Sequence, residues 1–340
     1  MSAIRLLLAV LAFCAIAGAS ALAASGTPTA AHPQIVHVAL MIRNLTAIDE
    51  VKENWQATGL LIAKWNVPRF RYQSRDLHDT HRDLLPAAIW TPSFEFTNEV
   101  SATPLRYVDL YARPDGTVEL IQGFNAVLST ALDLRRFPFD SQRLPVVIEA
   151  RGDDLDRTIL VPDLPNSSIA TGSYAGLAQW KPLAITATPG VVAGSAGNAK
   201  NVEFGVRVQR NSNSYIWKFI LPLLLLVIVS WVTFWLSHEE FKTKDQLQSA
   251  VATLLIVVAF NVAASNLLPR TNYITYIDAL LFTCFSFVVI SIGAIVATHL
   301  LELNHSAERA LLIRRLAGAV LPIAFIITQA MLFFSFRIEG

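Results

Sequence analysis

The sequence predicts an immunoglobulin-like β-sandwich followed by a membrane domain of four helices, and three observations lead to that fold class. Residues 25–213 contain apolar segments of strand length separated by turn signals, which is typical of an all-β domain. The composition changes abruptly after residue 214, and four apolar stretches follow. The chain of 340 residues is 53% hydrophobic with a net charge of only +1, so electrostatics give no support to nucleic-acid binding.

The first 24 residues have the pattern of a signal peptide. Arg5 precedes an apolar run at 6–17, and Ala21-Leu22-Ala23 has the small residues of a cleavage site. An uncleaved anchor helix is the alternative, but the run is short and ends in small residues. We therefore expect the domain at 25–213 to be exported. It contains no cysteine, so its stability cannot depend on disulfides.

Short-range patterns predict the strands of the exported domain. Alternation is clearest at 201–209, and the apolar segments 36–42, 59–63 and 106–112 are also of strand length. The sequence Arg113-Pro-Asp-Gly-Thr117 has the residues of a β-turn. Residues 46–56 fit a helix or a strand. Residues 74–85 fit a helix, whose His78 and His81 lack further metal ligands nearby, so we expect no metal or cofactor.

Four membrane spans are predicted at 215–236, 248–268, 276–301 and 316–336, each long enough to cross a bilayer. An exported N-terminal domain leaves both termini outside. Basic residues then concentrate in the cytoplasmic loops, as the positive-inside rule requires. Those loops are too short for an enzyme domain. The chain also has no nucleophile elbow, metal-ligand set or phosphate loop, so an enzyme is not expected.

The second span carries many polar residues. At about 100° per residue, one stripe of this span contains two amides, small residues and large apolar residues, and an acidic residue precedes it. Its members are Asp245, Gln248, Ala252, Leu255, Ala259, Val262 and Asn266. Several copies around an axis would form the rings of a cation pore gated by dewetting. Small and polar residues also pack membrane helices, so the pattern alone leaves both interpretations open.

The stretch LDLRRFPFDSQ at 132–142 closely resembles the signature loop of pentameric ligand-gated ion channels, the Cys-loop receptor family. Thr130 and Leu144 stand where the family has two cysteines, so the disulfide is absent, as in bacterial members. Four further matches follow the family's order: Trp90-x-Pro92 with Glu95-Phe96, Tyr215-x-Trp217-x-Phe219-Ile-Leu-Pro222, Ser265-Asn-Leu-Leu-Pro-Arg270 and Leu311-Leu-Ile-Arg-Arg315. The resemblance is strongest to bacterial members opened by amines.

The resemblance implies a homopentamer in a bacterial inner membrane, with the large N-terminal domain and the C-terminus on the periplasmic side. It puts the stripe on the pore-lining positions, with Leu255 at the hydrophobic gate and Asp245 at the acidic ring of members that conduct monovalent cations. It also implies a coupling set, in which Asp140 pairs with Arg210 and the loop at 267–273 receives the movement. The members of this set are Asp140, Arg210, Pro138, Pro269 and, as a third charged partner, Asp49 or Glu50.

The resemblance places an extracellular ligand site between neighbouring subunits. Glu95 and Glu149 match acidic positions of an amine site, and Phe204 matches an aromatic residue of the capping loop. Leu60 and Arg151 stand where aromatic residues are expected, and the capping loop at 186–200 has none.

The agonist is therefore a small molecule such as an amine, or protons, because the exported part also contains four histidines. The alternative function is a non-conducting, membrane-tethered ligand sensor. Such a sensor is expected to have a cytoplasmic output module, for which the short loops leave no room.

Overall fold

A computed structural model describes residues 34–74, 80–86, 89–101, 106–151, 158–169, 179–190, 201–235, 243–267 and 271–338. The predicted signal peptide at 1–24 lies outside these residues and stays a prediction. Within them the chain forms a two-sheet sandwich, to about residue 210, and then four long helices.

The sandwich contains eleven strands in the described part of the chain. They are β1 Gln34–Asp49, β2 Asn54–Asn66, β3 Arg82–Asp83, β4 Phe94–Phe96, β5 Tyr107–Ala112, β6 Thr117–Ser129, β7 Ser141–Ala150, β8 Thr158–Pro162, β9 Ser168–Ile169, β10 Trp180–Gly190 and β11 Asn201–Arg210. One sheet has the order β3-β5-β6-β2-β1-β8, with β9 also paired to β1, and the other has the order β10-β11-β7-β4. The two sheets bury a continuous apolar core between them.

The predicted strands at 36–42, 59–63, 106–112 and 201–209 lie in β1, β2, β5 and β11. The segment at 46–56, which the sequence left open, is the end of β1, a turn and the start of β2. The predicted helix at 74–85 is wrong for its C-terminal part, because Arg82 and Asp83 pair with Ala112 and Tyr111 in the sheet. A sheet partner far along the chain overrides the local helical pattern. Residues 75–79 lie outside the described residues.

The first membrane span begins with a helical turn, Asn213–Tyr215, and a π-helix, Ile216–Ile220, which lead into helix α1, Leu221–Trp235. Pro222 is the second residue after the π-helix and has no N–H for the carbonyl four residues earlier, so the hydrogen-bond pattern shifts there. Helices α2, α3 and α4 are Thr243–Leu267, Tyr276–Leu303 and Ala307–Ile338. All four spans are long and apolar enough to cross a membrane.

Helix α4 begins nine residues before the predicted span at 316–336, and α3 ends two residues after the predicted span at 276–301. A hydropathy pattern marks the apolar core of a span, whereas the helix continues through polar residues into the water interface. Polar side-chain contacts join the helices. The indole Nε1 of Trp231 donates to Ser291 Oγ at 3.1 Å, and Gln329 Nε2 donates to Thr283 Oγ1 at 3.0 Å.

Candidate pore and gating junction

Helix α2 has one face that packs inside its own subunit. The buried residues Gln246, Ala250, Thr253 and Val257 recur at i, i+4, i+7 and i+11, so they share one side of the helix. This side packs against α1 and α3. The predicted stripe lies about 180° away around the helix.

The stripe of α2 is exposed at every position whose side chain is described. Its members there are Asp245, Gln248, Ala252, Leu255, Ala259 and Val262. Leu255 and Val262 have exposed fractions of 66% and 58%, so packing within the subunit leaves these apolar side chains free to face lipid, a neighbouring subunit or a pore. The backbone of Asn266 is helical, but its side chain lies outside the described residues. The exposed surface is wider than the stripe, since Val251 and Ile256 are also exposed.

Arg210, the last residue of β11, forms the centre of a buried charge cluster at the membrane-facing end of the sandwich. Its Nε lies 2.7 Å from Asp140 Oδ1 and its Nη2 lies 3.2 Å from Asp140 Oδ2, which is a bidentate ion pair. Its Nη1 lies 2.5 Å from Glu50 Oε1. The ion pair that the resemblance implies is therefore present, while its part in gating stays a prediction.

The surroundings of Arg210 favour its charged form. Burial acts to lower the pKa of this guanidinium, but the hydrogen bond and negative charge of Asp140, with the charge of Glu50, outweigh it and raise the pKa above its usual value. The rings of Trp180, Phe137 and Tyr215 surround the guanidinium at 4.1, 4.6 and 5.9 Å from its central carbon. The side chain of Arg210 is 0% exposed, so its partners hold it in one place.

Glu50, not Asp49, is the third member of this cluster. The Asp49 carboxylate instead accepts hydrogen bonds from the backbone N–H groups of Val51 and Lys52, at 3.1 and 2.9 Å. The bond from Lys52 is the main reason that the pKa of Asp49 is lowered. An aspartate at the start of a turn bonds to its own backbone, which leaves the next, longer carboxylate to reach Arg210.

The signature loop at 132–142 touches three of the membrane spans. The carbonyl of Pro138 accepts a hydrogen bond from Ser212 Oγ at 2.7 Å, and the ring of Phe137 packs edge-to-face on Tyr215 at 4.8 Å, so the loop is tied to the first span. The ring of Phe139 packs against Tyr276 of α3 and Phe333 of α4. Pro269 lies outside the described residues, so its predicted role is not addressed by these contacts.

Two of the predicted ligand-site residues are neighbours. Glu95 on β4 and Glu149 on β7 are cross-strand partners, and Arg151 Nε lies 3.5 Å from Glu95 Oε2 in an exposed ion pair. Arg151 therefore offsets part of the negative charge that an amine would need. Leu60 lies on the other sheet, buried with Ala39 and Ile62, and is apart from this pair within one subunit.

Phe204 does not belong to an exposed capping loop. It lies within β11, is 0% exposed and packs in the sandwich core with Val202 and Val206. The alternation of β11 turns every second residue inward, and Phe204 falls on that side. Residues 191–200 of the predicted capping loop lie outside the described residues.

His37 and His81 are exposed, and His81 packs its ring on Tyr111 at 4.9 Å. The other two histidines of the exported domain, at 32 and 78, lie outside the described residues. Among the residues that the structure does describe, His, Cys, Asp and Glu form no group of three or more suited to a metal ion.

The fold and the junction together define a membrane protein in which an extracellular β-sandwich is joined to four helices. A model of the neurotransmitter-gated ion-channel ligand binding domain matches residues 24–212, and a model of the neurotransmitter-gated ion-channel transmembrane region matches residues 219–327. The chain belongs to the neurotransmitter-gated ion-channel family, the pentameric ligand-gated channels. It is a multi-pass membrane channel of this class and not an enzyme.

The relatives include channels with different ligands. The chain is 28% identical to a proton-gated ion channel of Gloeobacter violaceus over 311 residues, 91% of this chain and 85% of the relative. It is 24% identical to the gamma-aminobutyric acid receptor subunit beta-4 of Gallus gallus, over 77% of this chain and 54% of the relative. A beta subunit from Caenorhabditis elegans is 26% identical, over 73% and 46%. The chain spans about half the length of these two receptor subunits.

Proposed function

We propose that this chain forms a homopentameric, cation-selective channel in a bacterial inner membrane, with α2 lining the pore and the sandwich on the periplasmic side. The observation that carries the proposal is the arrangement of α2. Its packed face leaves the stripe from Asp245 to Val262 available for a common axis. Five copies of this stripe would present an acidic ring, an amide ring and an apolar constriction.

The constriction is formed by Leu255, Ala259 and Val262. An ion passing these side chains must shed water and receives no polar replacement, so a narrow ring stops conduction without a physical plug. A small tilt of α2 widens the ring, and water and ions return.

Asp245 supplies the selectivity for cations. It lies exposed in the first turn of α2, at the predicted cytoplasmic end of the pore. A carboxylate at a helix N-terminus also stabilises the helix, which is a second reason for its presence. Five carboxylates in a ring attract monovalent cations and repel anions.

Protons are the stimulus that the observations favour. The relative that matches 91% of this chain is proton-gated. An amine is the second candidate, because Glu95 and Glu149 lie side by side. The amine is less well supported, since Arg151 pairs with Glu95 and Phe204 is buried in the core.

The junction transmits the stimulus to the pore. Arg210, held by Asp140 and Glu50, fixes the end of β11 directly before the first span. The signature loop contacts the first span, α3 and α4, so a movement of the sandwich displaces the first span and α3, which both pack against α2.

The test is a current recording on the purified mature protein in planar bilayers under a KCl gradient. The pH on the periplasmic side is lowered in steps, and small amines are then added at neutral pH. We expect currents at low pH that reverse near the potassium potential. Silence from a confirmed pentamer under both stimuli would contradict the proposal and favour a non-conducting sensor.

A further inference from the structure

Pro322 interrupts the hydrogen bonding within α4. It lies inside this helix and has no N–H, so it cannot donate to the carbonyl of Gly318, four residues earlier. Gly318 is buried, and a buried carbonyl without a donor destabilises a fold, most of all within a membrane. The Gly318 carbonyl therefore needs a donor from another part of the chain.

Trp235, the last residue of α1, supplies that donor. Its indole Nε1 donates to the carbonyl oxygen of Gly318 at 3.0 Å. An indole has one donor and no acceptor, so this bond uses its whole hydrogen-bonding capacity. Trp235 is 64% exposed, so the bond holds this end of the side chain more than burial of the ring does. A hydrogen bond that is missing inside α4 is thus replaced by one between α4 and α1.

A glycine at position 318 allows the indole to come this close. A Cβ added to Gly318 would lie 3.0 Å from Trp235 Nε1, 3.1 Å from Trp235 Cδ1 and 3.4 Å from Phe234 Cβ. The first two distances are shorter than ordinary contacts between heavy atoms. A larger residue at this position would push the ring away from the carbonyl. The glycine, the proline and the tryptophan therefore depend on one another.

A second hydrogen bond joins the same two helices in the opposite direction. Arg314 of α4 is 8% exposed, and its Nε donates to the carbonyl of Phe234 on α1 at 3.1 Å. Arg314 and Gly318 are four residues apart, so they lie on the same side of α4. Each helix thus donates to the other at one place. Since α1 also packs against α2, this place fixes α4 to a helix that supports the proposed pore helix.

We infer that Trp235 is the positioning residue that fixes the N-terminal half of α4 against α1, and that its indole N–H replaces the helical hydrogen bond that Pro322 removes. The inference goes beyond the proposed function, because it concerns how α4 is held and not what opens the pore. Near its C-terminus, α4 meets the signature loop through Phe333 and Phe139. The Trp235 bond holds α4 at the other end, away from the sandwich.

Trp235→Phe removes the donor and keeps an aromatic ring, whereas Pro322→Ala gives α4 back its own N–H. Alone, Trp235→Phe leaves the Gly318 carbonyl without a donor. We therefore expect the melting temperature in detergent, followed by circular dichroism, to fall by about 5 °C. In a chain that also carries Pro322→Ala, the restored backbone N–H satisfies the carbonyl, and Trp235→Phe should lower the melting temperature much less.

Trp217→Phe is the matched control for this cycle. Trp217 belongs to the same span, is 69% exposed and donates no hydrogen bond among the described residues. Its effect on the melting temperature should be the same with and without Pro322→Ala.

Gly318→Ala tests the close approach of the two helices. The added Cβ displaces the indole, so we expect a lower melting temperature, although alanine favours a helix more than glycine does. Gly293→Ala, in α3, is the control. A Cβ at Gly293 meets nothing within 4 Å, so this change should not lower the melting temperature.

Carbonyl NMR in proteoliposomes tests the bond itself without unfolding the protein. Labelling glycine carbonyls with ¹³C and alanine nitrogens with ¹⁵N selects Gly-Ala pairs, and after residue 24 the chain has two, Gly293-Ala294 and Gly318-Ala319. Trp235→Phe should shift the Gly318 signal upfield, because its carbonyl loses a donor, and should leave the Gly293 signal in place. Adding Pro322→Ala should return the Gly318 signal toward its wild-type position.

These outcomes decide the inference independently of any current. An unchanged Gly318 signal in Trp235→Phe would show that the indole is not the donor and would overturn the inference. Equal losses of stability from Trp235→Phe with and without Pro322→Ala would also overturn it. A Trp235→Phe chain that assembles only together with Pro322→Ala would support it. A silent channel would contradict the proposed function and would change none of these measurements.

Discussion

Leu255 shows how much depends on one side chain of α2. It stands at the centre of the exposed stripe, between the amide of Gln248 and the small residue Ala259, and 66% of it is exposed. Packing within the subunit leaves this apolar side chain uncovered. In the proposed pentamer, five copies would meet and exclude water.

Leu255→Ser should open the channel more easily. Five hydroxyls would hydrate the constriction, so we expect the half-maximal stimulus to fall about tenfold. The measurement is the dose response in bilayer recordings. Ile323→Ser, on the exposed face of α4, is the control and should leave the midpoint unchanged. A wild-type midpoint in Leu255→Ser would count against Leu255 as the gate.

The Asp140–Arg210 pair lends itself to charge reversal. Asp140→Arg or Arg210→Asp alone leaves like charges buried together, which should destabilise the folded state by about 3–5 kcal/mol. The double variant restores opposite charges, but Glu50 then faces an aspartate, so we expect only partial rescue of stability and of the activation midpoint. Thermal unfolding and recordings measure both. If the effects of the double variant on stability and on the midpoint equal the sums of the single-variant effects, Asp140 and Arg210 are not a direct functional pair.

At the scale of elements, strand alternation and sheet partners decide what the local pattern leaves open. The alternation of residues in β11 was predicted from the sequence, and it puts Phe204 on the buried side of the strand. The segment at 74–85 has a helical pattern, yet Arg82 and Asp83 join the sheet beside β5. The packed face of α2 is likewise a property of its contacts with α1 and α3, not of its composition.

The N-terminal turn of α2 carries the selectivity prediction. Asp245→Asn removes one charge per subunit from the proposed ring and keeps its size. The reversal potential under a KCl gradient should therefore move from the potassium potential toward zero. Asp278→Asn, in the first turn of α3, is the control, because that carboxylate caps its own helix through Thr275. An unchanged reversal potential in Asp245→Asn would place the selectivity elsewhere.

At the scale of the whole molecule, one fold serves relatives with different stimuli. The proton-gated relative and the gamma-aminobutyric acid receptor subunits share this architecture at 24–28% identity. The fold therefore defines the class of channel and does not by itself specify the stimulus.

The whole pentamer should respond to protons before amines. We expect a five-subunit mass in native mass spectrometry and currents that grow as the periplasmic pH falls. At neutral pH, small amines should be weak or silent, because Arg151 offsets Glu95. Arg151→Gln removes that counterion and should strengthen any amine response without changing the proton response. Strong amine-induced currents in the wild type at neutral pH would show that amines, and not protons, are the preferred stimulus.

The sequence by itself determined the fold class, the four spans, the signature loop and the family, because these depend on local periodicity, apolar length and a specific motif. Only the tertiary structure decided which face of α2 packs and that Glu50 rather than Asp49 reaches Arg210. Each of these joins residues far apart in the chain or on opposite sides of one element. Their contacts follow from how strands and helices pack, which no local pattern encodes.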